Sequence, residues 1–236
     1  MKATSRAPRI VGRIIKKLFS LLIFTVCCIL LWRVFFSTQI PGAIKHLDPN
    51  PALTQAYGEK GDDLILRYQE QATVTRAEKN YGYFSVVRAV FIPEINQVQI
   101  IFRYNNSTIR HLAEDYGLEE TPSKAAHLFD VTLVKTTDLT PDNKEDNVLP
   151  ETLQHDRIQP NGNPVRETTL LYTYYRYTFD GVTVDELTDG VLIDVYYTED
   201  VDYSKAAYGT LCIYHYQSTW LDYPLTSADK KALGEE

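Results

Sequence analysis

The stretch Leu18–Phe36, LFSLLIFTVCCILLWRVFF, constrains this chain more than any other, because its nineteen residues carry a single charge, Arg33. As a helix rising about 1.5 Å per residue it reaches roughly 28 Å, close to the ~30 Å hydrocarbon core of a bilayer. A cleaved signal peptide has a shorter core of about 7–15 residues and small residues at the cut. Phe35-Phe36-Ser37-Thr38-Gln39 offers no such exit, and Ala43 is the best cleavage candidate. A lipoprotein would acylate Cys27 or Cys28, but Val26 precedes the first and the apolar run continues beyond the second. The sequence therefore predicts an uncleaved anchor over residues 18–36, with membrane lipid as its partner.

Orientation follows from charge. Lys2, Arg6, Arg9, Arg13, Lys16 and Lys17 precede the run and no acid does. Basic flanks are retained in the cytoplasm, so residues 1–17 are predicted to be a cytoplasmic tail. The remainder is then extracytoplasmic, on a single-pass protein of the cell membrane. Arg33 near the outer end can snorkel to the headgroups, and Trp32 suits the same interface.

The two sides differ sharply in charge. The chain sums to −7; residues 1–40 hold seven basic residues and no acid, so residues 41–236 sum to −14. A domain that acidic has no general attraction for phosphate, and no nucleic-acid partner is expected. Of three cysteines only Cys212 lies outside the apolar run, which leaves the outer domain without an internal disulfide and dependent on an apolar core.

Pro41, Pro49 and Pro51 make residues 37–62 read as a juxtamembrane tether, with one helical turn near Ala52–Tyr57. Residues 63–226 read as the domain. A strand is expected around Thr73-Val74-Thr75. Tyr81–Ile92 is rich in aromatic and β-branched residues and stops at Pro93, and Gln97–Tyr104 alternates with period two; together they predict an antiparallel hairpin. Asn105 and Asn106 head two overlapping N-x-S/T sequons, but the same residues suit a turn and a helix cap. A short amphipathic helix is expected over Ile109–Tyr116, ended by Gly117. Strands follow at Phe129–Thr136, Val165–Phe179, Val191–Thr198 and Tyr208–Ser218, with a polar, aperiodic stretch at residues 137–164. Residues 227–236 read as a flexible tail. The fold class predicted is mainly β: an antiparallel β-sandwich with one short helix, preceded by a transmembrane helix. The immunoglobulin-like form is one candidate, though its Cys–Trp–Cys core is absent.

Chemistry-bearing patterns are scarce. His46, His111, His127, His155 and His215 are scattered and form no metal-ligand spacing. Acidic loops starting at Asp142 and Asp200 fail a calcium-loop pattern, with Lys144 and Asn147 in the first and Lys205 in the second. Cys212 and His215 would point to opposite faces of a strand. No cofactor, metal or catalytic residue is assigned, and the chain is read as a non-enzyme. Only a fold can bring together the two acids of a glycan-active hydrolase, which leaves that reading as a further alternative.

The remaining candidate site is a row of ring-bearing side chains. Period two puts Val165, Leu171, Tyr175, Tyr177 and Phe179 on a core face, and Tyr172, Tyr174 and Arg176 on the other, where Tyr196 of the next strand joins them. Exposed tyrosines beside arginine can hold a sugar ring or a partner chain. The sequence thus points to a membrane-anchored binding module for a glycan, peptide or protein ligand, the alternative being a structural or assembly subunit of an envelope complex. Clustered exposed aromatics favour the first; an open strand edge or a broad apolar patch favours the second. With one cysteine and no ligand cluster, residues 42–236 expressed alone should melt at the same temperature, within about 2 °C, with or without chelator or reductant, a window of about 1 kcal/mol; a larger loss in either would reveal a metal site or cross-link.

Overall fold

A computed structural model describes residues 7–70, 74–75, 83–135, 157–203, 207–213 and 220–235. The polar stretch at 137–156, with Asp142 and His155, lies outside the described residues, as do Thr73, Lys205, His215 and the side chain of Cys212. The chain divides into two compact units, Met1–Gln39 and Ile40–Glu236.

The first unit is helix α1, Ala7–Thr38. Its segment Ile15–Phe36 has mean hydropathy 2.4 with none of it buried, and is long and apolar enough to cross a membrane. Phe24 and Leu31 stand 66% and 70% exposed, on a helix apolar all round. Water is a poor medium for such a surface.

The second unit is mainly β. One antiparallel sheet has six strands: β1 (Arg67–Glu70), β3 (Phe84–Ile92), β4 (Gln97–Asn105), β7 (Val165–Thr168), β8 (Tyr172–Asp180) and β11 (Leu221–Asp222), in the order β11-β1-β3-β4-β8-β7. The other has five: β2 (Val74–Thr75), β5 (Phe129–Lys135), β6 (Arg157–Ile158), β9 (Val191–Tyr197) and β10 (Gly209–Ile213), in the order β2-β10-β9-β5-β6. The expected β3–β4 hairpin is present, from Phe84↔Tyr104 to Ile92↔Gln97. Its turn runs through Pro93–Ile95 to Asn96, which takes the left-handed conformation at φ 50° that Asn tolerates better than most residues. A bulge between Val86 and Arg88 shifts the register there.

The sequence row Val165–Phe179 is two strands, not one. Thr169 turns the chain: its amide donates to the Tyr172 carbonyl, and its hydroxyl accepts from the Tyr172 amide. β7 thereby folds back on β8 with Val165 opposite Arg176, so Val165 leaves the core row. Tyr175, Tyr177 and Phe179 stay in that row, between the sheets with Phe84, Phe102 and Phe129. The rings pack edge-on and offset, Phe84 to Phe129 at 5.1 Å and Tyr175 to Tyr177 at 5.6 Å between centroids. Tyr177 resolves its buried hydroxyl by donating to the Phe129 carbonyl at 3.1 Å.

Helix α4 (Thr108–Asp115) matches the expected amphipathic helix, burying Ile109, Leu112 and Ala113, with Gly117 left-handed at φ 61° behind it. Of the sequon asparagines, Asn106 is buried and donates to the carbonyls of Thr169 and Leu170, which fastens the β7–β8 turn.

Two expectations fail at the ends of the domain. Residues 37–62 are no loose tether: α2 (Gly42–Lys45) and α3 (Pro51–Lys60, capped by Asn50) bury Ile44, Leu53, Ala56 and Tyr57. The C-terminal tail is helix α6 (Ser227–Ala232), closed by a reciprocal cap between Thr226 and Asp229, with Leu233 buried behind it. Both cover the outer face of the six-stranded sheet, where Val90 and Ile92 of β3 meet Leu47, Leu53 and Leu233.

Gly209 on β10 is required by close approach. A Cβ there would lie 2.8 Å from Cδ2 and 2.9 Å from Cε2 of the buried Phe84 ring. Gly209→Ala in the full chain should cost about 1–3 kcal/mol as overpacking, a melting drop of roughly 2–12 °C; an unchanged melt would show that the Phe84 ring yields freely.

Candidate functional site

The register of β8 sends Tyr172, Tyr174, Arg176 and Thr178 to the outer face of the six-stranded sheet. Tyr196 lies on β9, in the other sheet, so the four predicted residues do not share one surface. The open tyrosine row is also corrected. Tyr174 is 0% and Tyr196 3% exposed, while Tyr172 is half-buried. For Tyr174 the reason is the segment after α1, which lies over β4 and β8 and seats Ile44 against Ile101 and Tyr174. Tyr172 carries the Arg103 guanidinium over its ring, 4.4 Å from the centroid, and Arg103 Nε donates to Ser85 Oγ.

Arg176 is a fastening for that segment. Its Nη1 donates to the His46 carbonyl at 2.8 Å, and its Nη2 reaches Asp48 Oδ1 at 3.4 Å. Burial pushes its pKa down, and the Asp48 and Asp229 carboxylates oppose that. Asp48 also accepts from the Thr178 hydroxyl, while its amide donates to Gln99 Oε1 at 2.7 Å. Gln99 in turn donates to Gln97, which accepts from Asn50 and donates to Asp180. A continuous row of hydrogen bonds thus runs down the polar face of β4 and β8. Gln97 and Gln99 are buried at 0% and 3% exposure with their amides used, as buried polar groups require.

Asp229 ties the two chain ends together. Its side chain is fully buried, and its carboxylate accepts from the Leu47 amide at 3.0 Å, the Thr226 amide at 3.0 Å, the Thr226 hydroxyl at 2.6 Å and the Tyr223 hydroxyl at 3.3 Å. His46 Nδ1 stands 3.4 Å away. Burial alone would raise its pKa, but the hydrogen bonds from Thr226 and Leu47, with His46, hold it below the ordinary aspartate value. Burial and the neighbouring carboxylate push the Tyr223 hydroxyl up to about 12. Beside this knot a narrow crevice runs between Leu47, Val90, Ile101 and Tyr223, edged by Arg88 and Arg176. It has room for about one water and none for a sugar ring.

On the five-stranded sheet, Tyr196 belongs to a closed ionic cluster. Arg157 donates to Asp194 Oδ2 at 2.8 Å and to Thr132 Oγ1 at 3.2 Å, and its guanidinium lies 5.4 and 5.2 Å from the ring centroids of Tyr196 and Tyr203, which touch each other edge-on. Asp194 also accepts from Thr210 and Tyr196. Burial and the Asp194 charge push the Tyr196 hydroxyl up, which keeps it a neutral donor. Asp194 and Asp229, the two buried carboxylates among the described residues, are thus each held by several donors. Among the described residues no group of three His, Cys, Asp or Glu side chains is placed to hold a metal ion.

Sequence reasoning missed Asp229, Asp48 and the two glutamines. The signal for the first was present: Thr226-x-x-Asp229 is a helix-start pattern, hidden in a stretch read as fraying. Comparison of the chain with protein-family models, curated proteins and solved structures finds no match among any of them.

Asp229→Asn turns an amide NH2 toward groups that donate to the carboxylate, and should cost about 1–3 kcal/mol, or roughly 2–12 °C in melting temperature. The folded-state pKa is depressed, so the Asp229 contribution is complete above the unfolded-state value of about 3.9 and is lost as pH falls through the lower folded-state value. The gap between parent and variant should therefore stay constant between pH 5 and 8 and narrow below about pH 4. An equal melt at neutral pH, or a gap that widens in acid, contradicts this role.

Proposed function

We propose that the chain is a single-pass membrane protein, N-terminus cytoplasmic, that holds a β-sandwich interaction domain at the outer face of the cell membrane. The observation that carries this reading is the junction between the two units. α1 ends at Thr38 and the compact domain begins at Ile40, with Gln39 alone between them. At about 3.5 Å of reach per residue, so short a link keeps the start of the domain near the bilayer that holds the helix. Such a domain meets partners in or beside its own membrane. The basic residues before the helix supply the orientation.

Of the two kinds of ligand the sequence left open, the geometry favours a protein chain. The aromatic row that would stack on a glycan is covered, at Tyr174 and Tyr196. By contrast β7 ends the six-stranded sheet among the described residues, and Val165 and Glu167 on it are exposed. An open edge of this kind accepts a partner strand through backbone hydrogen bonds. This reading assigns no catalytic residue and no cofactor.

Protease added to intact cells or spheroplasts should remove the domain and leave an N-terminal tag protected, and a photo-crosslinking residue at Glu167 should give a higher-mass protein adduct that the same residue at Val184 does not. A tag digested from outside, or a mature protein starting near Ala43, refutes the anchor. Identical patterns at positions 167 and 184 refute the edge.

A further inference from the structure

The turn between β7 and β8 sends an apolar side chain into solvent. Leu170 at its tip is 53% exposed, although Asn106 pins the backbone beneath it through the carbonyls of Thr169 and Leu170 at 2.9 and 3.2 Å. The turn is therefore held in place rather than loose. Next to it stand Tyr172, half-buried, and Arg103, whose guanidinium lies over the Tyr172 ring. Tyr172 and Ile40 both pack against the cluster of Ile44, Ile101 and Tyr174. Ile40 is two residues beyond the last residue of α1. The leucine tip, the tyrosine and the arginine thus belong to the end of the sheet where the chain enters the domain. Helix α2 packs against β7 and β8, and its last residue, Lys45, lies further along the sheet, where its carbonyl accepts from Arg88. Glu167, an exposed acid on β7, is set three residues back from the tip.

We propose that this end of the six-stranded sheet is a lipid-contact surface, with Leu170 entering the headgroup–acyl boundary of the bilayer that anchors α1, Tyr172 lying at the interface, and Arg103 facing lipid phosphates. The inference rests on the membrane-anchored reading above. Its chemistry is that of interfacial elements generally: an apolar tip a few ångströms deep, an aromatic ring with a polar end at the headgroups, and cations at phosphate level. β8 then leads away from the bilayer. Its nine residues span about 27 Å, and helix α5 (Val184–Asp189) follows its far end.

The test uses the full chain in nanodiscs whose lipids carry bromines near the headgroup end of the acyl chains. Tryptophan is introduced as Leu170→Trp and, at the far end of the sheet, as Val184→Trp, a site 42% exposed. The parent signal, from Trp32 and the buried Trp220, is subtracted. Quenching of the added tryptophan should be at least about twofold stronger at 170 than at 184, as expected for a group some 5–10 Å into the interface. Equal quenching at the two sites, with the parent quenched through Trp32, overturns the lipid-contact surface and leaves the anchor standing. A parent that is not quenched at all overturns the anchor, and this inference with it.

Discussion

The six-stranded sheet is buried on both faces at its centre, and that constraint organises the rest of the domain. Phe91, Val98, Ile100 and Phe102 face the second sheet, while Val90, Ile92 and Ile101 face outward. A sheet buried on both sides needs a layer on each. The five-stranded sheet supplies one. The other is assembled from the two ends of the domain, residues 40–66 and the helix at Ser227–Ala232, which carry Ile44, Leu47, Leu53, Leu64, Leu66 and Leu233. Burying these side chains stabilises the layer only if its polar backbone is satisfied as well. Arg176 at the His46 carbonyl, Gln99 at the Asp48 amide and carbonyl, and Asp229 at the Leu47 amide do that satisfying.

The division between legible and illegible features follows from the range of each signal. The β3–β4 hairpin and the helix at Thr108–Asp115 were readable because alternation and a 3.6 period are local, and Gly117 marks an end that any neighbour sees. The covering segment was not. Pro41, Pro49 and Pro51 interrupt it, and the helical spacings it holds, Ile44 to Leu47 and Leu53 to Ala56 and Tyr57, are each about one turn long, too short to mark a buried face. Such a stretch looks like a linker until the surface it covers is known.

The tyrosines illustrate the same limit within one strand. Period two correctly separated Tyr172, Tyr174 and Arg176 from Tyr175, Tyr177 and Phe179. It assigns residues to faces but not faces to solvent, so Tyr174 was read as open when Ile44 lies on it. Tyr196 was placed beside them on the assumption that the next strand pairs alongside; it is in the other sheet, locked to Arg157 and Asp194. Val165 was assigned to the wrong face because the chain reverses at Thr169, a turn without Gly or Pro.

The fastening of residues 46–50 has a mechanical consequence. Any tension on the helix enters the domain at Ile40, and the first firm attachments it meets are Ile44, Arg176 with His46, Asp229 with Leu47, and Asp48 with Thr178 and Gln99. These attach to three separate parts of the fold: the β8 strand, the β4 strand and the C-terminal helix. A load that enters at Ile40 is therefore shared among them instead of peeling one strand from an edge.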